Sequence, residues 1–171
     1  MRAFLDSNVL VYALSSDHAP KRARALALIA DLGAAGGLVM STQVLMETYN
    51  VLTRKKGAAP ADALSALRLL ARHEVVAPGA DTAMDAMALA AAHKLSIWDG
   101  LIVQAAIEAG CDTLFSEDLQ HGRRFGELEV VNPFEQAAHE APAPAYALLA
   151  ARSKPKAPAT KARTKAPTPR R

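Results

Sequence analysis

Apolar positions along the 171-residue chain fall into two rhythms. Short unbroken apolar runs alternate with longer stretches in which apolar residues recur every three or four positions, the spacing that lines one face of a helix. The runs predict strands at residues 2–6, "GLVMST" (37–42), "EVVAP" (74–78), "DTLFS" (112–116) and "LEVVN" (128–132). The periodic stretches predict a short helix near residues 8–15 and a long one over residues 20–33, closed by Gly33 and Gly36-Gly37. Further helices are expected over "QVLMETYNVLTRKKG", "PADALSALRLLARH" with Pro60 near its first turn, and "DTAMDAMALAAAHK". "SIWDGLIVQAAIEAG" is a helix apolar almost all round. Strands alternating with helices predict an α/β fold with a mostly parallel sheet and helices on both faces; the packed body ends near Phe134, and no internal repeat is visible.

Acidic residues interrupt this pattern at particular points. In an open parallel sheet the strands end on one edge, so residues just beyond strands, and those opening the following helices, gather in one crevice. Asp6 ends the first strand, Glu47 lies in the first turns of the helix after the second, Asp99 opens the apolar helix, and Asp118 follows "DTLFS". Singly, each has a simpler explanation. Asp6 caps a helix beginning near Asn8, Ser96 and Asp99 form a capping box, and Asp118 sits in the first turn of a short helix capped by Ser116.

Glu47 fits that explanation least, because its place between Val44 and Val51 puts it at the edge of an apolar stripe. No Lys or Arg lies within a turn of Glu47, Asp6 or Asp99. Carboxylates sharing a crevice repel unless some are protonated or a cation sits between them. A divalent metal resolves the conflict, and an all-oxygen donor set favours Mg²⁺ or Mn²⁺ over zinc or copper.

Composition narrows the alternatives. An apolar fraction of 51% with 5% aromatics describes helices packed through small side chains. Interruptions such as Asp6, Asp99 and Gln104 keep every apolar stretch short of the roughly 18 residues of a spanning helix, and no signal peptide is apparent, so a soluble cytoplasmic protein is expected. Cys111 is alone, which excludes an internal disulfide and a thiolate cage; it reads as a small buried residue. The histidines show no paired ligand spacing, and His121, near Asp118, reads as a surface residue. Neither a Walker loop nor G-x-G-x-x-G follows the first strand, which argues against nucleotide-cofactor binding of those kinds.

The net charge of +3 conceals a division. Eight of the 20 basic residues and no acid lie from Arg152 onward, leaving 12 basic against 17 acidic residues before it. Residues 137–171 form a Pro/Ala/Lys-rich tail expected to be disordered, suited either to attracting phosphate backbones or an acidic partner or simply to solubility.

"FLDSNVLVYA", "STQVLMETYNVL", "IWDGLIVQAA" and "LFSEDLQHG", in this order and spacing, resemble the PIN-domain ribonucleases, most closely the VapC-type toxins of bacterial toxin–antitoxin pairs. The resemblance spans roughly residues 1–134, within a nuclease-like domain expected over residues 1–136, and leaves out the basic tail. It implies an α/β/α sandwich around a parallel sheet, with acidic site positions at Asp6, Glu47, Asp99 and Asp118 and polar companions at Asn8 and Ser116. It also implies Mg²⁺- or Mn²⁺-dependent endonucleolytic cleavage of RNA to 5′-phosphate and 3′-hydroxyl ends, a homodimer, and a small antitoxin that blocks the crevice. Glu117 stands where many members have Asn, so a further carboxylate adjoins the site.

Two rivals remain at this level. One is a non-catalytic RNA- or protein-binding module that relies on the tail. The other is an aspartyl-phosphate phosphatase with Asp6 as nucleophile; such enzymes normally carry a second Asp two residues on, where this chain has Asn8.

Overall fold

The computed structural model describes residues 1–135. The tail expected from residue 137, and its disorder, lie outside the described residues. Six strands and six helices follow one another as β1 (Ala3–Leu5), α1 (Ser7–Leu14), α2 (Ala19–Ala34), β2 (Leu38–Ser41), α3 (Thr42–Arg54), α4 (Pro60–Leu70), β3 (Glu74–Val76), α5 (Ala80–His93), α6 (Ile97–Glu108), β4 (Thr113–Phe115), β5 (Arg124–Phe125) and β6 (Leu128–Val131).

The strands form one sheet in the order β3-β2-β1-β4-β6-β5. Every neighbouring pair is parallel except β5 with β6. Each residue of β1 and β2 is buried, without the in-out alternation of a sheet wetted on one side, because helices cover both faces. The fold is therefore the expected three-layer α/β/α sandwich. Only β5 was not anticipated: two residues long, it carries no pattern, and it exists because the chain doubles back at Gly126 (φ 61°) to pair antiparallel with β6.

The core gathers Phe4, Leu5, Val39, Met40, Val103 and Leu114 between the layers. α6 is buried through Gly100, Ile102, Val103, Ala105 and Ala106, as its all-round apolar sequence requires. α5 crosses it closely: a Cβ placed on Gly100 would lie 2.8 Å from Ala86 O and 2.9 Å from Ala90 Cβ. Since α6 leads down into β4, its N-terminus and Asp99 belong to the edge at which the parallel strands end. Among the described residues no single helix is long and apolar enough to cross a membrane.

Candidate active site

Strand register brings Asp6 and Ser116 together. Leu5 pairs with Phe115, so the first residue beyond each of these adjacent parallel strands falls beside the other. Asp6, only 5% exposed, caps α1 by accepting the Ser7 N–H on Oδ1 at 2.6 Å. Its Oδ2 accepts from Ser116 Oγ at 2.7 Å and from Asn8 Nδ2 at 2.9 Å.

Ser116 is fully buried, and its single hydroxyl proton goes to Asp6. Its lone pairs take the N–H groups of Asp118 (3.2 Å) and Leu119 (3.3 Å), as a helix cap would. The short helix expected there does not form: residues 117–119 are a bend, and the chain turns toward β5 at Gly122 (φ 74°). This bend presents Asp118 Oδ2 to Asn8 Nδ2 at 3.2 Å. A further Asn8 Nδ2 contact to Ser116 Oγ, at 3.4 Å, is weak because that oxygen is already committed.

Burial pushes the Asp6 carboxyl up to about 6. Hydrogen bonds from Ser116 and the Ser7 N–H oppose the rise, and the charges of Asp118 and Glu47 add to it. The three carboxylates are thus electrostatic neighbours.

Glu47 and Asp99 stand outside the hydrogen-bonded group of Asp6, Asn8, Ser116 and Asp118. Glu47 is exposed, so its charge is hydrated and does not need the protein partner that its place on the stripe suggested. Asp99 is half-buried and engaged in its own cap: Ser96 Oγ accepts from Asp99 N at 3.1 Å and donates to Asp99 Oδ2 at 2.8 Å. Gln43 Nε2, 3.5 Å from Trp98 O, links the first turn of α3 to the start of α6. Among the described residues no three acidic, histidine or cysteine side chains close into a metal cage.

The donor set nevertheless fits a hard divalent ion. Mg²⁺ is commonly held by one or two carboxylates and keeps several of its waters. Asp6 and Asp118 converge on a single amide group, and the partial positive charge of Asn8 Nδ2 stands between them as a weak substitute for a cation.

Sequence reading missed a second cluster. Lys21 Nζ, in the first turn of α2, pairs with Glu117 and donates to Tyr12 OH at 3.0 Å. It lies 4.5 Å from the centre of the Tyr12 ring and 5.3 Å from that of Phe134. The one available signal was its position, since a cation in a helix's first turn opposes the helix dipole and implies another role. Burial alone would raise the Glu117 carboxyl, but the hydrogen bond from Lys21, with the Tyr12 hydroxyl alongside, holds it below the usual range.

No curated protein matches the chain. The toxin VapC20 of Mycobacterium tuberculosis, which cleaves the sarcin–ricin loop, is similar in structure, with a TM-score of 0.55 and 22% identity over 68% of this chain and 91% of its own. A toxin–antitoxin complex from Klebsiella pneumoniae gives a TM-score of 0.59 at 20% identity, covering 78% of this chain and 98% of the other. VapBC2 of Rickettsia felis, bound to a fragment of its promoter DNA, gives 0.55 at 22% identity, covering 77% and 98%. The PIN domain profile matches residues 3–142. The chain belongs to the PIN domain family.

Proposed function

We propose that the protein is a Mg²⁺- or Mn²⁺-dependent endoribonuclease, the VapC-type toxin of a toxin–antitoxin pair, acting in the cytoplasm as a homodimer restrained by a small antitoxin. The carrying observation is the convergence of Asp6 and Asp118 on Asn8. Membership of a family of nucleases and likeness to toxin–antitoxin structures support the reading.

Asp6 and Asp118 would hold the ion, with Asp99 as a further carboxylate of the same edge. When bound, the ion lowers the pKa of water and offsets charge developing on a phosphate. Glu47, exposed and hydrated, orients the attacking water by accepting its proton in a hydrogen bond. Ser116 and Asn8 keep the carboxylates aimed through the bonds described above. RNA is the substrate, and without a cation the carboxylates would repel its backbone.

The test is cleavage of total RNA by purified protein, with Mn²⁺ or with chelator, followed by mapping of the new 5′ ends. Metal-dependent cuts bearing 5′-phosphates are expected, with a loss of at least about 100-fold in Asp6→Asn and Asp118→Asn proteins that remain folded. Engagement of Asp99 in its own cap favours the rival, a non-catalytic binding module. Intact RNA under Mn²⁺, with a cellular effect that vanishes on removal of residues 152–171, would establish that rival.

A further inference from the structure

Building on the metal-nuclease reading, we propose that Lys21 is a positioning residue for the metal site: with Tyr12 it clamps Glu117 and so fixes the bend that presents Asp118 to Asp6. Glu117 precedes Asp118 and is tied at both ends. Its carboxylate pairs with Lys21, and its backbone N–H donates to Asn8 Oδ1 at 3.4 Å. Asn8 in turn joins Asp6 to Asp118. A continuous path therefore runs from the ammonium, through the bend, to both carboxylates.

Several features separate this pair from an ordinary surface ion pair. The Lys21 and Glu117 side chains are 30% and 27% exposed, so water screens them less than a fully solvated pair. The ammonium is located by α1 through Tyr12, by the bend through Glu117, and by the end of the body through Phe134. The pairing also occupies and neutralises the Glu117 carboxylate. Glu117 thus serves the site by its backbone and its anchor, not as another ligand.

Two accounts of Lys21 differ in sign. Acting only by through-space charge, an ammonium near a cation site weakens cation binding, so its removal tightens it. Acting as a clamp, its removal frees the bend and loosens it.

The experiment is calorimetric titration of the full-length protein with Mn²⁺ alone, with melting curves confirming that each variant is folded. Lys21→Met is expected to weaken Mn²⁺ binding about tenfold, the scale typical of residues that orient metal ligands. Lys21→Arg should restore most of it, and Tyr12→Phe, which keeps the ring, should cost about threefold by the same logic. Glu117→Gln should weaken binding too, and the double variant Lys21→Met/Glu117→Gln should be no worse than the poorer single variant, because both remove one connection.

Wild-type affinity or tighter in Lys21→Met, or return to wild-type affinity in the double variant, overturns the clamp in favour of simple charge. Should Lys21→Met not fold, unchanged affinity in both Tyr12→Phe and Glu117→Gln overturns it equally. Wild-type protein that takes up no Mn²⁺ at all defeats the metal reading itself, and the clamp with it.

Discussion

Asn8 donates from Nδ2 to Asp118 Oδ2 at 3.2 Å, a bond that spans 110 residues of sequence and joins the first turn of α1 to the bend after β4. The same nitrogen lies 2.9 Å from Asp6 Oδ2. One neutral donor thus stands between two carboxylates, and its partial charge offsets only part of their repulsion.

Replacing Asn8 with Ala removes the donor and leaves the repulsion. The metal-free variant should lose about 1–3 kcal/mol of stability, the scale for unpairing buried polar groups. Saturating Mn²⁺ should recover part of it through binding to the folded state. Urea unfolding in chelator and in Mn²⁺ measures both; an equal loss in the two conditions would separate Asn8 from the cation site.

Acidity offers an independent check. Asp6 titrates at about 6 in the fold against an ordinary 3.8, so between those values the folded protein keeps a proton that the unfolded chain releases. Its contribution to stability is therefore full below the lower value and lost as pH rises through the upper one, on the order of 3 kcal/mol. Unfolding free energies of wild type and Asp6→Asn in chelator should diverge across that window, wild type falling relative to the variant as pH rises. A constant difference from pH 4 to 7.5 would contradict a buried, proton-retaining Asp6.

Ser116→Ala removes a donor to Asp6 and the acceptor of two backbone N–H groups at a fully buried position. The cost should be about 1–3 kcal/mol. Because the lost hydrogen bond favours the charged carboxylate, Asp6 should titrate still higher. Carboxyl-carbon NMR of the metal-free variant reads that shift, and a downward movement would refute the assignment.

Gly100→Ala tests the close crossing of α5 and α6. The added methyl would meet Ala86 O at 2.8 Å, a backbone atom that cannot rotate aside. A destabilisation of about 1–3 kcal/mol is expected from overpacking, read as a lower urea midpoint at unchanged slope.

Much of this architecture was legible in the sequence. The strands β1, β2, β4 and β6 and all six helices have strong apolar patterns, because elements buried on one or both faces leave little freedom to composition. That Asp6 and Asp118 fall at strand ends was legible too, but the pairing of Asp6 with Ser116 was not, because it depends on β1 and β4 being neighbours in the sheet. The bend at residues 117–119 was not, because Ser116 is an equally good cap for a helix that the following residues do not continue. The Lys21 cluster escaped notice for a different reason: its partners come from separate elements and share no sequence spacing. Asp99 is the mixed case: Ser96 caps the helix as read and the helix begins on the predicted edge, but the Asp99 carboxylate bonds the Ser96 hydroxyl and not the backbone N–H that a capping box requires.

β1 lies near the middle of the sheet, but β4, the neighbour that completes its crevice, comes late in the chain. During synthesis Asp6 leaves the ribosome long before Ser116 and Asp118 exist to meet it. A half-made polypeptide carries Asp6 and Glu47 without Asp99, Ser116 or Asp118, and the acidic edge assembles only when translation of the body is nearly finished. On the proposed nuclease reading, the protein would in this way stay inert beside the message and the ribosome that are making it.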